Sequence, residues 1–244
     1  MARIFITGSA DGLGLLSART LVSQGHKVVL HARNEQRKVE ALRKVPEAEG
    51  ALIADLSKVE ETKKLADDVN ALGEFDAVIH NAGVYQVPSR TIFAVNTLAP
   101  YILTCLIQKP KRLVYLSSGM HRQGRPNLEN FKPDTGGISY ADSKLHVVML
   151  SMAVARKWPD VHSNALDPGW VPTRMGGDGA PDDLQKGFET QVWLAVSEDE
   201  KAKVSGRYFF HKKQTSYNPG ASDVMLQEKF LDSCGDISGI GFPL

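Results

Sequence analysis

Two cysteines in 244 residues, Cys105 and Cys234, are too few and too far apart for a disulfide framework, a redox pair or a metal cluster. Two reduced thiols in a cytosolic protein account for them. No block of like charge occurs and the net charge is +1, so nothing draws the chain to nucleic acid or to an acidic membrane surface. No apolar run reaches the length of a membrane span, and Met1-Ala2-Arg3 passes directly into the strand-like Ile4-Phe5-Ile6-Thr7. Neither a membrane anchor nor a secretory leader is expected, and the expected location is cytoplasmic. Internal repeats, linkers and low-complexity segments are also missing. What remains is an ordinary globular composition, 42% apolar and 23% charged, at a length that suits one domain over residues 1–244.

What is present is an alternation of strands and helices. Residues 3–7 read as a buried strand, 8–14 as a glycine turn and 15–23 as a helix. In Gly8-Ser9-Ala10-Asp11-Gly12-Leu13-Gly14 the glycines would let the backbone approach a pyrophosphate, and the positive end of the next helix would favour that anion. Three glycines between strand and helix also describe a plain tight turn. Residues 27–31 form a second strand and 35–44 a charged helix. An Asp or Glu about 20 residues past the turn would bind the ribose of NAD. Ala32 and Arg33 stand there instead, and their space and positive charge suit the 2′-phosphate of NADP. A surface arginine at a strand end has the same look.

Further strands at 51–54, 76–80, 112–116, 161–166 and 206–210 alternate with helices at 58–72, 91–107, 138–157, 184–196 and 221–234. This pattern implies an α/β fold, a doubly wound (Rossmann-type) parallel sheet of about seven strands with helices on both faces. Gly8, Arg33, Asp55 and Asn81 all fall at the carboxyl ends of strands, where such sheets bind ligands.

Tyr140 and Lys144 are four residues apart and would share one helical face. A phenol with a pKa of about 10 is a poor proton carrier at neutral pH, and a fixed cation beside it favours the phenolate. The spacing alone fits a buried ring and a solvated ammonium equally well. Pro100 has no N–H for the carbonyl of Asn96, leaving that carbonyl free at a bend for water or a ligand, or merely shaping the packing. Residues 120–137 read as a polar loop, and 174–183 have the composition of a mobile lid or of an idle loop. Leu145, Val148, Met149 and Met152 form one apolar stripe, and Val147, Leu150 and Val154 another. Such a helix is buried on two sides, one facing the sheet and the other a second subunit, which suggests a homodimer or homotetramer.

Taken together these residues resemble the short-chain dehydrogenases/reductases. The run from Thr7 to Gly14 is similar to the family's T-G-x-x-x-G-x-G, Asn81-Ala82-Gly83 to its N-A-G, and Ser118, Tyr140 and Lys144 to its serine and Y-x-x-x-K. Asn96 matches the fourth catalytic residue, and Pro168-Gly169 with Thr173 the segment that closes over the nicotinamide. The likeness keeps its order from Arg3 to Phe210. Within the family, Ser118-Gly119-Met120-His121 and Ser205-Gly206-Arg207-Tyr208-Phe209 resemble the branch of retinol dehydrogenases and related carbonyl reductases. Three departures stand out: His80 where the family often has Asn, only the residues 84–95 between Gly83 and Asn96, and a long interval from Ser118 to Tyr140.

The resemblance implies hydride transfer between NADP(H), favoured over NAD(H), and a small-molecule carbonyl or alcohol. Tyr140 would be the acid/base, Lys144 would lower its pKa and hold the ribose, Ser118 would bind the substrate oxygen, and Asn96 would hold a relay water. Cofactor contacts would come from Gly8, Ser9, Asp11, Gly12, Leu13, Gly14, Arg33, Asp55, Leu56, Asn81, Ala82, Gly83, Tyr140, Lys144, Pro168, Gly169, Val171 and Thr173, and no metal is implied. Substrate contacts are expected from Tyr85, Val87, His121, Trp170 and Arg174, although His121 also reads as an exposed loop histidine. Two rivals stand beside this reading. One is a sensor or scaffold that binds NADP(H) without turnover, and the other a sugar-nucleotide epimerase or dehydratase, for which the chain lacks an additional substrate domain.

Overall fold

A computed structural model describes residues 1–131 and 137–243. Strands β1 (Arg3–Ile6), β2 (Lys27–Ala32), β3 (Gly50–Ile53), β4 (Ala77–His80), β5 (Arg112–Leu116), β6 (His162–Asp167), β7 (Arg207–Phe210) and β8 (Lys213–Gln214) form one sheet in the order β3-β2-β1-β4-β5-β6-β7-β8. The first seven are parallel, and β8 pairs antiparallel with β7. Successive side chains point to opposite faces, so Ile4 and Ile6 join one core with Val28, Leu30 and Ile79 while Phe5 joins the other with Val29 and Val78.

The helices are α1 (Gly12–Ser23), α2 (Glu35–Lys44), α3 (Val59–Ala71), α4 (Ser89–Ile92), α5 (Ala99–Leu106), α6 (Tyr140–Lys157), α7 (Leu184–Val196) and α8 (Val224–Ser238). α1, α2 and α7 cover one face of the sheet, and α3, α5, α6 and α8 the other. The strand order reverses at β1, which lies between β2 and β4, the place where sheets of this kind bind ligands beyond the carboxyl ends. No helix among the described residues is long and apolar enough to cross a membrane.

The structure differs from the sequence expectation at four places. An eighth strand exists because His211 and Lys212 take left-handed backbone, with φ of +48° and +62°, and turn the chain back without a glycine. The helix expected over 91–107 is α4, a π-helical turn Phe93–Leu98, and α5. Pro100 cannot donate to the carbonyl of Asn96, and the wider turn lies just ahead of it. α8 starts at Val224, later than expected, because Asp223 accepts the N–H groups of Met225 and Leu226 and caps it there.

Finally, both apolar sides of α6 are met within the chain. Leu145, Val147, Val148, Met149, Leu150 and Val154 are all buried, and α8 packs on α6 with Phe230 and Leu231 in the same core. The side expected to face a second subunit is therefore covered by the chain's own last helix.

Of the four buried imidazoles among the described residues, His31, His80, His121 and His146, burial shifts the pKa most at His31, His80 and His146. His31 accepts the Gly8 N–H at Nδ1 and donates from Nε2 to the Ala54 carbonyl. His146 donates to the Pro126 carbonyl and accepts from Thr97, while His80 stacks on Tyr115 at 4.7 Å. Burial lowers His31 and His146 to about 4 and His80 to about 3. A depressed histidine pKa means that the unfolded chain binds the extra protons. Stability is therefore full above pH of about 6.5 and drains as pH falls toward 4, each ring contributing up to about 1.4 kcal/mol per pH unit. The urea midpoint should fall between pH 7 and pH 5, and a flat profile would refute the neutral buried rings.

Candidate active site

At the carboxyl end of β1 the chain turns tightly into α1. Gly8 takes φ of +64°, and a Cβ there would lie 2.8 Å from the Cα of Ala82. Gly14 sits so close to Asn81 that a Cβ would fall 2.4 Å from the amide nitrogen. Asn81 exploits this approach: its Nδ2 donates to the carbonyls of Thr7 (2.9 Å) and Gly8 (3.0 Å), and the Ala82 N–H donates to Thr7 Oγ1 (3.0 Å). From β2, His31 Nδ1 accepts the Gly8 N–H at 2.9 Å.

The Ser9 side chain belongs to this scaffold. It is fully buried, donates to the Ile6 carbonyl and accepts the His31 N–H. α1 begins without a side-chain cap, which leaves its first N–H groups and positive dipole end for an anion. Asp11, the residue placed to cap it, pairs with Arg37 of α2.

The remaining cofactor candidates flank this turn. Arg33 is exposed just beyond β2. Asp55 Oδ1 accepts the Ser57 N–H and hydroxyl at 3.0 and 2.7 Å, and Leu56 is buried. On the opposite side Val171 is buried, Pro168 and Gly169 are half-buried, and Thr173 Cγ2 lies 3.9 Å from where a Cβ on Gly12 would be. The segment after β6 thus reaches the glycine turn, and Val171, Pro168 and Leu13 all come close to Gly187 of α7. A glycine cradle that side chains would fill and an uncapped helix start fit the pyrophosphate of a dinucleotide.

The catalytic candidates converge at the ends of β4 and β5. Ser139 caps α6 reciprocally with Asp142: the Asp142 N–H donates to Ser139 Oγ (3.1 Å) and the Ser139 N–H to Asp142 Oδ2 (3.0 Å). This starts the helix at Tyr140. Lys144 follows one turn later, 4% exposed, with Nζ 5.5 Å from the Tyr140 ring centroid and donating to the Leu116 carbonyl at 2.9 Å. Ser117 donates to the Lys144 carbonyl at 2.8 Å and joins β5 to α6, while its neighbour Ser118 pulls the pKa of the Tyr140 phenol down.

Asn96 accepts the Val84 N–H at 2.8 Å and donates to the Val84 carbonyl (3.0 Å) and Ser143 Oγ (3.1 Å). Its side chain clamps the chain leaving Asn81-Ala82-Gly83 onto α6, which a trimmed 84–95 segment requires. A Cβ on Gly83 would lie 3.2 Å from Lys144 Nζ and 3.6 Å from Asn96 Oδ1, so these groups meet.

The expected lowering of the Tyr140 pKa is not found among the protein's own groups. Burial pushes the phenol up to about 12, against the pull of its hydrogen bond with Ser118. Burial also lowers the Lys144 ammonium to about 8, with Asp167 pulling it upward. Desolvation penalises the charged form of each, so one shift is upward and the other downward.

At the rim, the Tyr85 ring is 4.7 Å from that of Tyr140 and 38% exposed, with Val87 exposed beside it in sequence. Trp170 is 61% exposed, its backbone N–H held by Asp182 and its indole N–H by the Gly176 carbonyl. Arg174 is exposed in the next segment. His121 is not a rim residue. It is fully buried, with both ring nitrogens engaged. Sequence reasoning passed over Asp167, whose Oδ2 lies 2.9 Å from the position of a Cβ on Gly119, and whose charge reaches Lys144, Tyr140, His121 and Tyr208. The only sequence signal was its place at a strand's carboxyl end. It also passed over His31 and Arg37, whose partners lie 23 and 26 positions away.

Residues 2–183 match the family described as short chain dehydrogenase. An uncharacterized oxidoreductase of Emericella nidulans is 45% identical, covering all of this chain and 99% of its own. The short-chain dehydrogenase chyC of Penicillium rubens is 42% identical over the whole of both chains. Among solved structures, a short chain dehydrogenase from Shigella flexneri complexed with NADP superposes with a TM-score of 0.68 at 24% identity, over 87% of this chain and 97% of that one.

The turn geometry makes a paired prediction. Gly8→Ala meets both a positive φ and the Ala82 backbone and should cost at least about 2 kcal/mol in urea unfolding. Gly25→Ala has φ of +82° but open space around it and should cost about 1 kcal/mol. Equal losses would show that Gly8 is not held by its contact with Ala82.

Proposed function

We propose that this chain, which belongs to the short-chain dehydrogenase family and is an NAD(P)-dependent oxidoreductase, reduces a small carbonyl substrate with NADPH and uses Tyr140 as the proton donor. The observation that carries this reading is the convergence of Ser118, Tyr140 and buried Lys144 at the carboxyl ends of the sheet, with Lys144 Nζ 5.5 Å from the Tyr140 ring centroid and Ser118 acting on the phenol's pKa. The cofactor supplies the hydride, and the protein supplies position and electrostatics. Gly8, Gly12 and Gly14 with the start of α1 would hold its pyrophosphate, Asn81, Ala82 and Gly83 would line its path, and Val171 and Thr173 would close over it.

Ser118 orients the substrate oxygen and Tyr140 gives it a proton, a contribution of roughly 10² to 10⁴ in rate. Lys144 holds positive charge beneath the phenol and offsets the negative charge left there. Burial keeps the Tyr140 phenol protonated at neutral pH, the form that can give a proton to a substrate oxygen. Exposed Tyr85, Val87 and Trp170 would give the rim an apolar character that suits an aromatic or aliphatic ketone or aldehyde.

NADP(H) is preferred on this reading because Arg33 stands at the end of β2 and no acid is there to meet the ribose. A fold neighbour carries NADP, which agrees. Any homodimer or homotetramer has to use a surface other than the covered side of α6.

Three measurements test this. Tyr140→Phe should lower kcat by about 10² or more with cofactor binding retained, on a substrate found by screening ketones, aldehydes and quinones with NADPH. Binding of NADPH with no turnover across that screen would favour the sensor or scaffold reading. Lys144 titrates at about 8, so kcat/KM for reduction should fall as pH rises through that value, while the ammonium form below it remains active. Arg33→Ala should weaken NADPH about tenfold and leave NADH unchanged, and tighter binding of NADH by the native protein would overturn the cofactor preference.

A further inference from the structure

His121 follows Ser118 by three residues and is 0% exposed. Its Nδ1 lies 2.7 Å from the Ser118 carbonyl and 3.1 Å from the Tyr208 hydroxyl, and its ring centroid 4.5 Å from that of Tyr208. On the other side the Asn218 N–H donates to Nε2 at 3.3 Å. A carbonyl can only accept and a backbone N–H can only donate, so the ring is neutral, protonated at Nδ1 and bare at Nε2. Burial likewise holds its pKa below the ordinary histidine value.

The same segment grips the turn after Ser118 at further points. Asn218 Nδ2 donates to the carbonyls of Gly124 (3.1 Å) and Arg122 (3.3 Å), and Arg122 donates to Ser216 Oγ at 3.0 Å. Asn218 lies beyond residue 183, where the family match ends.

We propose that His121 is a positioning residue for the reaction, fixing Ser118 through its Nδ1–H and fastening that serine to the C-terminal segment at Asn218. The inference rests on the reading that Ser118 and Tyr140 carry the chemistry. Ser118 opens a short 3-10 turn in extended backbone, and its hydroxyl also accepts the Met120 N–H at 3.3 Å. Little within the turn fixes the direction of its carbonyl, apart from the backbone N–H of His121 at 3.0 Å. The second donor, the imidazole, removes that freedom. A displacement of about 1 Å at a group that orients substrate can cost about 10² in rate.

Two substitutions separate the halves of the ring. His121→Asn places an amide N–H near the position of Nδ1, and His121→Gln places its amide near Nε2. His121→Asn should keep kcat within about threefold, and His121→Gln should lower it about 10- to 100-fold with the cofactor dissociation constant unchanged. In a Ser118→Ala background His121→Gln should cost less than about twofold further, because the group it positions is gone. Full kcat in His121→Gln, or the same fold-loss with and without Ser118, would overturn the proposal. NMR of the isotope-labelled full-length protein gives a reading that needs no variant: His121 should be neutral with the proton on Nδ1, and an Nε2–H ring refutes it. Failure of the underlying reading is distinct, since Tyr140→Phe would then keep wild-type turnover.

Discussion

A doubly wound sheet has to leave a gap where its strand order reverses, and in this protein one amide side chain closes it. The carbonyls of Thr7 and Gly8 lie past the end of β1, where no strand can reach them, and a buried carbonyl without a partner is costly. Asn81 Nδ2 satisfies both. To do so it must come within touching distance of residue 14, which is why that position has no side chain. His31 completes the arrangement by linking the Gly8 N–H to the Ala54 carbonyl, so the ends of β1, β2, β3 and β4 are tied through two side chains. The cradle for a pyrophosphate is the shape that remains once these polar groups are paired.

The chemistry is set by where α6 begins. The reciprocal cap of Ser139 and Asp142 fixes the first residue as Tyr140, and Asp142 Oδ1 also takes the Arg125 N–H at 2.7 Å, anchoring the preceding loop to the same point. Burial then acts on the phenol and on the ammonium in opposite senses and drives their pKa values apart, to about 12 and about 8. Groups pushed in this way by their surroundings are what a proton-transfer site requires. Asp167 is the carboxylate that works against the desolvation of Lys144.

Much of this could be read from the chain, and the parts that could not share a cause. Strands β1 to β7 and the glycine turn were legible because their signals are local, namely apolar runs, glycine spacing and turn residues. Tyr140 and Lys144 were legible because helical spacing puts them on one face. Asn96 was legible as a residue of interest through Pro100, but its side-chain clamp on Val84 and Ser143 depends on a fold that brings α6 to it. His121 was misplaced for the same reason: a polar residue in a turn looks exposed until its distant partner, Asn218, is known. β8 escaped notice because its turn uses His211 and Lys212 where glycine or asparagine is the usual sign.

The cover that α8 gives to α6 bears on how the molecule is made. Synthesis runs from the amino end, so α6 and its catalytic residues leave the ribosome well before the helix that shields their apolar neighbours. Phe230 and Leu231 are made after every strand of the sheet, and without them the apolar residues of α6 that they cover would face water. A chain cut before α8 would therefore keep Ser118, Tyr140 and Lys144 and yet expose the apolar face that Phe230 and Leu231 cover, a surface prone to aggregate.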